Sequence, residues 1–349
     1  EGTRSRMGKL MPPRYGLLKY VLEACHATGA NNIHIIPISI SYDLIRDVEE
    51  YATEQTGRGK GAESLRWFIG YIRSLARPMG KVYMDIGDPV VLPAAPEPDD
   101  KLALSKIAFE VAVEANHVTP FTFPSLITMS LLGASPGALT EAEVVEDIRL
   151  LVAWARAREL RTSRDFNVDY PEHIEGLLGI MIDEGIVTRY DEGPEVVYGI
   201  DLEQHPVASY YRNTIIHFFV NKAIVELALL KTSETEGSAA LDVFWGEVDK
   251  LRDLFKFEFF YAPSAEFHLQ IREELNRYAP NWEELLQQGP SGFAQLQSGM
   301  LLLVAHVTLL TFAEAYSVVA DLLARMDPAE SLEEEDCVNQ ALKLGQQAY

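Results

Sequence analysis

At 349 residues, 48% of them hydrophobic, the chain is long enough to bury a large core and to form two domains. Its formal charge of −22 is uneven: residues 1–90 carry a net +2 and the remainder −24, an acidic bulk that opposes nucleic-acid binding. Two cysteines, Cys25 and Cys337, exclude a disulfide framework, show no metal-ligand spacing and suit a reducing, cytosolic compartment.

The chain begins Glu1-Gly2-Thr3-Arg4-Ser5-Arg6-Met7-Gly8-Lys9, with three cations, two hydroxyls and two glycines in nine residues. Glycine lets the backbone approach a ligand closely. Arg4 and Arg6 present planar forks of donors that match phosphate oxygens, and Lys9 adds a point charge. Thr3 and Ser5 add hydroxyl donors. Such a stretch reads as an oxyanion clamp, most simply for phosphate. The plain alternative is a disordered basic terminus.

Residues 14–28 place Leu17, Leu18, Val21, Leu22 and Cys25 on one helical face, with Gly29 as the stop. Ile33 to Ile38 is a continuous apolar run, expected as a strand covered on both faces, with His34 packed inside it. Pro37 cannot donate to a ladder and marks a strand end or bulge that re-aims its neighbours toward a cleft. Thr56 to Gly61 lacks Walker spacing and reads as a surface loop. A second helix is expected over 63–77 and a strand over 81–86. Helix then strand is the rhythm of an α/β layer. Three prolines and three acids within 93–100 read as a linker.

Beyond the linker the chain is expected to be mainly helical. Thr140 and Glu143 form a capping-box pattern ahead of a helix running to about residue 160. Pro171 sits at a helix start and Gly185 at its end. Residues 186–190 and 195–198 flank Asp-Glu-Gly-Pro as a hairpin. Helices followed by a hairpin suggest a winged-helix-like unit across 138–200. Its many acids, Glu141, Glu143, Glu146 and Asp147 among them, argue for a structural role and against DNA. Long helices are expected over 206–230 and 239–261, and the aromatic run Leu254 to Tyr261 reads as a helix end packed into the core. Leu301 to Ala324 is expected as a central core helix, because Glu314 and Asp321 oppose membrane spanning. Ser331 with Glu334 marks a last capped helix.

Four of these stretches, in order, carry a resemblance. Glu1 to Arg6 resembles the third signature block of the glycerol-3-phosphate acyltransferases, and Ile36-Pro37-Ile38-Ser39-Ile40-Ser41-Tyr42-Asp43 the fourth. Val82 to Pro89 is similar to the strand that follows. Tyr210-Tyr211-Arg212-Asn213-Thr214-Ile215-Ile216-His217 is similar to a stretch of the helical C-terminal region in the bacterial and mitochondrial enzymes.

The resemblance implies part of an α/β glycerolipid acyltransferase domain over 1–92, a linker over 93–100 and a helical C-terminal domain over 101–349. It also implies acyl transfer from acyl-CoA or acyl-carrier protein to the sn-1 hydroxyl of glycerol 3-phosphate, the first step of phospholipid synthesis. Arg4 and Arg6 would grip the phosphate with Thr3 or Ser5, while Glu1 and Gly2 shape the clamp and Pro37 sits near the cleft or the thioester donor. No metal or cofactor is implied, and peripheral contact with the cytoplasmic side of the cell membrane is.

The family's His-x-x-x-x-Asp block is absent here. No histidine has an Asp five residues on; His268 with Glu273 comes nearest, but lies downstream of the other blocks in an amphipathic run. The chain is therefore expected to be a C-terminal portion without its catalytic base, inactive alone. Acylation of dihydroxyacetone phosphate or lysophosphatidate, or a non-enzymatic acidic helical scaffold, are the competing readings.

Overall fold

The computed structural model describes residues 7–45, 48, 80–163, 171–300, 302–326 and 332–348. They fall into two compact units that divide between Phe218 and Phe219, and the stretch 93–100 lies inside the first.

The first unit opens with helix α1 (Gly16–Thr28). Gly29 ends it at φ 64°, a left-handed cap that lets Ala30 N–H reach the Cys25 carbonyl. The expected strand from Ile33 to Ile38 is two strands, β1 (Asn31–Ile35) and β2 (Ile38–Tyr42), broken at Ile36-Pro37. Each pairs elsewhere: β2 runs antiparallel to β3 (Val82–Ile86), and β1 to β4 (Val90–Ala94). Pro37 has no N–H to give, but its carbonyl accepts from Gly87 N–H at 2.9 Å and links the two ladders. Coverage on both faces is not found either. The β2–β3 register sets Ile38 opposite Ile86, Ile40 opposite Met84 and Tyr42 opposite Val82, and all six are exposed. Burial follows the pleat, one face in and one face out, as in a half-covered antiparallel ladder.

Helix α2 (Lys101–His117), capped by Asp100 accepting from Ala103 N–H, packs on β2 and β4. Helix α3 (Phe123–Ala134) is the centre of this unit, with every residue from Phe123 to Leu131 buried. It is followed by β5 (Leu139–Thr140), α4 (Glu141–Arg156), α5 (Pro171–Asp183), β6 (Thr188–Tyr190) and β7 (Val197–Gly199). The three strands form an antiparallel sheet in the order β5–β7–β6. The capping box forms: Thr140 N–H donates to Glu143 Oε2 (2.8 Å), and Glu143 N–H to Thr140 Oγ1 (3.3 Å). The long helix expected over 206–230 is interrupted, giving α6 (His205–Asn213) and α7 (Ile216–Thr232).

The second unit holds most of α7 with α8 (Ala239–Leu254), α9 (Ser264–Tyr278), α10 (Trp282–Leu286), α11 (Pro290–Gly299), α12 (Ala305–Arg325) and α13 (Glu334–Ala348). Phe244, Phe267 and Trp282 fill its core. The aromatic run divides: Phe255 and Phe259 are buried, whereas Phe257 is 83% exposed. Helix α12 is not the core helix expected of it. Only Val307, Thr308 and Leu309 are buried, so its apolar composition marks an open surface. It is the one helix among the described residues long and apolar enough to cross a membrane.

One carboxylate organises this unit. Buried Glu226 accepts from Lys222 Nζ (2.7 Å) and from the N–H groups of Val304 and Ala305 (2.9 and 2.7 Å), capping α12 from within α7. Removing it leaves a buried ammonium and two backbone donors without their acceptor. Glu226→Ala is expected to cost about 3–5 kcal/mol in urea unfolding, and Glu226→Gln less because it keeps an acceptor oxygen. A loss below about 1 kcal/mol for the alanine variant would contradict this, being the size of an exposed ion pair.

Candidate functional site

A cavity of about 890 Å³ opens within the first unit, inside the range of small-molecule sites. The segment Gly8–Arg14 forms one side, and the apolar stripe of α1 another. Of that stripe only Leu22 is buried; Leu17, Leu18 and Val21 line the cavity with it. The stripe expected to pack a core therefore faces a binding space. Residues from β1 through Pro37 to β2 make the floor, and Ala108, Ala112, Asn116 and Thr119 of α2 and its end close the back. Tyr210, Tyr211 and Thr214 complete the wall.

Its electrostatics are unlike those of the chain as a whole. Lys9 and Arg14 line it, and no carboxylate does among the described residues. Lys9 is buried and Arg14 exposed. Ser39 Oγ and Thr119 Oγ1 share a hydrogen bond of 2.9 Å on the wall. The result is an apolar trough with cations and hydroxyls on its border, suited to an amphiphilic anion.

The segment Met7–Lys9 is held against α6. Gly8 has φ 76°, and a Cβ placed there would lie 1.9 Å from the Tyr210 carbonyl oxygen. Asn213 Nδ2 donates to the Met7 carbonyl at 2.7 Å. Arg212 in turn donates from Nε and Nη2 to Asn213 Oδ1 (3.1 and 2.9 Å). Arg212 is 5% exposed, and burial alone lowers its pKa to about 10. Tyr211, also buried, accepts from Ile45 N–H at 3.1 Å; desolvation pushes its hydroxyl far up, so it stays neutral.

Glu1, Gly2, Thr3, Arg4, Ser5 and Arg6 lie outside the described residues, as do the loop over 56–61 and the helix expected over 63–77. Pro37 is buried on the cavity floor, and Lys9 lines the same cavity. His34 is not packed inside a strand as expected. It is exposed on the cavity side, with Nε2 3.1 Å from Asn32 Oδ1. His217 is enclosed: its ring lies 3.9 Å from that of Phe218, and Nε2–H donates to the Asn116 carbonyl at 3.0 Å. Burial pushes its pKa down to about 3. Composition and periodicity did not single out Arg212 and Asn213. Their signal was their place in the stretch Tyr210–His217 that carries the family resemblance, which gave neither residue a role.

The apolar trough bordered by Lys9 and Arg14 is set on small antiparallel ladders and is followed by a helical region. The chain belongs to the family described as the glycerol-3-phosphate acyltransferase C-terminal region, which matches residues 51–349. Proteins named acyltransferase plsB1 from Mycobacterium tuberculosis and Mycobacterium bovis are 33% identical to it over 355 residues, covering 99% of this chain and 57% of theirs. The glycerol-3-phosphate acyltransferase of Haemophilus influenzae is 24% identical over 305 residues, covering 80% of this chain and 36% of its own. The chain thus spans little more than half the length of these mycobacterial relatives.

His217 gives a pH test of the packing. The unfolded chain takes up a proton near pH 6.5, whereas the native one resists it until about pH 3. Stability should therefore rise with pH across that window, by about 1.4 kcal/mol per unit from this group, and be complete above pH 6.5. His217→Gln keeps a donor for the Asn116 carbonyl and removes the titration. Urea unfolding between pH 4 and 7 should show a shallower slope in the variant; equal slopes would contradict the assignment.

Proposed function

We propose that the protein transfers a fatty acyl group from a thioester, acyl-CoA or acyl-carrier protein, to the sn-1 hydroxyl of glycerol 3-phosphate. The observation that carries this is the apolar cavity at Pro37, lined by no carboxylate among the described residues, with Lys9 and Arg14 on its border in a chain of net charge −22. Apolar walls suit the acyl chain, and the cationic border suits phosphate. Arg4 and Arg6 would grip the phosphate, Thr3 or Ser5 would assist, and Glu1 and Gly2 would shape the clamp. In the reaction the thioester C–S bond breaks as the ester C–O bond forms, and the hydroxyl proton passes through a general base toward the departing sulfur. Family membership over residues 51–349 and the name of the Haemophilus relative support the reading. We also assign residues 138–200 a winged-helix-like architecture, on the sheet order β5–β7–β6. Peripheral contact with the cytoplasmic face of the membrane belongs to the same proposal, with the exposed side of α12 as the contacting surface.

Two measurements test it. Arg4→Ala, in protein expressed from its full reading frame, should raise KM for glycerol 3-phosphate about ten- to a hundredfold, the loss of one charge-assisted contact of roughly 1.5–3 kcal/mol. KM for the thioester should hold, and a loss confined to the thioester would overturn the phosphate clamp. The 349-residue chain alone has no His-x-x-x-x-Asp, and should not turn over palmitoyl-CoA with glycerol 3-phosphate. Robust turnover would contradict that assignment of the base.

A further inference from the structure

The second unit holds a cavity that the proposed reaction does not use. It measures about 410 Å³, within the range of small-molecule sites, and its lining residues all lie between Glu226 and Ala313. Helices α7 and α8 supply Leu230, Leu251 and Leu254, α11 supplies Phe293, and α12 supplies Leu309 and Leu310. Apart from Glu226, Gln297 and His306 the lining is apolar. The Glu226 carboxylate is already committed to Lys222 and to the N–H groups of Val304 and Ala305. Charge is distributed to match. Residues 219–349 carry nine Lys/Arg and twenty-one Asp/Glu, yet none of them falls within 285–313, the stretch that holds α11 and the first turns of α12. Among the described residues no lysine or arginine lines this space, in contrast to the Pro37 cavity with Lys9 and Arg14.

These features select a ligand. A phosphate or coenzyme head would meet no cation here. A protein helix, about 10 Å across, would use up 410 Å³ in about one turn, so the space is too small to seat one. A single hydrocarbon chain is slender enough and needs only apolar contact. Gln297 and His306 are exposed on the border of the cavity, where each can donate to an ester carbonyl. Leu230, Leu254, Leu303 and Leu310 also line it and are exposed, continuing the open apolar side of α12. Phe257, two residues past the lining residue Phe255, is exposed as well. Through an apolar mouth of this kind a chain can leave a bilayer without crossing water. We propose that this cavity takes one acyl chain of a bilayer glycerolipid, with Gln297 and His306 at its ester end. This rests on the membrane contact proposed for α12 and is independent of the phosphate clamp.

The test uses protein expressed from its full reading frame and vesicles of phosphatidylcholine, a small fraction of which carries a diazirine at the end of one acyl chain. Flotation reads membrane contact, and mass spectrometry after photolysis reads where the chain end lies. The label should fall on cavity residues of α7, α8, α11 or α12, and both flotation and label should survive about 0.5 M salt, because the contact is apolar. Ala313→Phe fills the cavity from α12 and should cut the label there about tenfold while flotation holds within about twofold. The map in the unsubstituted protein stands even if that variant does not fold. Flotation with the label confined to residues 316–325 or Phe257 would leave the membrane contact standing and sink the cavity assignment. Label in the cavity from diazirine-bearing palmitic acid alone, and none from phosphatidylcholine, would overturn the bilayer lipid as occupant. Absence of flotation would remove the membrane contact and this inference together.

Discussion

The approach of Gly8 to the Tyr210 carbonyl is the constraint on which the rest of the site depends. At a position where a Cβ would lie 1.9 Å from a backbone oxygen, only hydrogen is tolerated, and φ of 76° again favours glycine. The contact joins residues more than two hundred positions apart. Its far side is anchored deeply: α6 packs on α3, whose residues Phe123 to Leu131 are all buried. Burial of α3 sets α6, α6 receives Met7 and Gly8, and the segment that follows becomes one side of the cavity.

The cavity stands apart from the acidic character of the chain. Fifty-two Asp and Glu residues are distributed so that none of those described faces this space. Coulomb repulsion at short range would be strong in a partly desolvated cleft and weak across solvated surface. Keeping the carboxylates on water-facing helix surfaces therefore has little long-range cost. Leu17 and Val21 stay open instead of joining a core, and on the proposed function an acyl chain would cover them.

What could be read from the sequence follows the range of the interactions involved. The Gly29 stop, the Thr140–Glu143 box and the hairpin at Tyr190 and Val197 are set by neighbours a few residues apart, and all three are found. Pro37 announced a break, but the partners of the two halves are contributed by residues 82–94 and could not be deduced locally. The helix over 206–230 was periodic enough to look continuous; its interruption follows Asn213, whose side chain is committed to Met7. Helix α12 misled because apolar composition was equated with burial, whereas the fold leaves most of it uncovered. In the candidate site, Pro37 and Lys9 both line the cavity, while the contacts of Arg212 and Asn213 are tertiary and could not be deduced from the stretch Tyr210–His217 that contains them.

The most direct measurement of the central claim is a crystal structure, from the full reading frame, with glycerol 3-phosphate bound. The account predicts the phosphate at the mouth of the Pro37 cavity near Lys9, within hydrogen-bond distance of the guanidinium groups of both Arg4 and Arg6. A phosphate held elsewhere, with both guanidinium groups turned into bulk water, would contradict it.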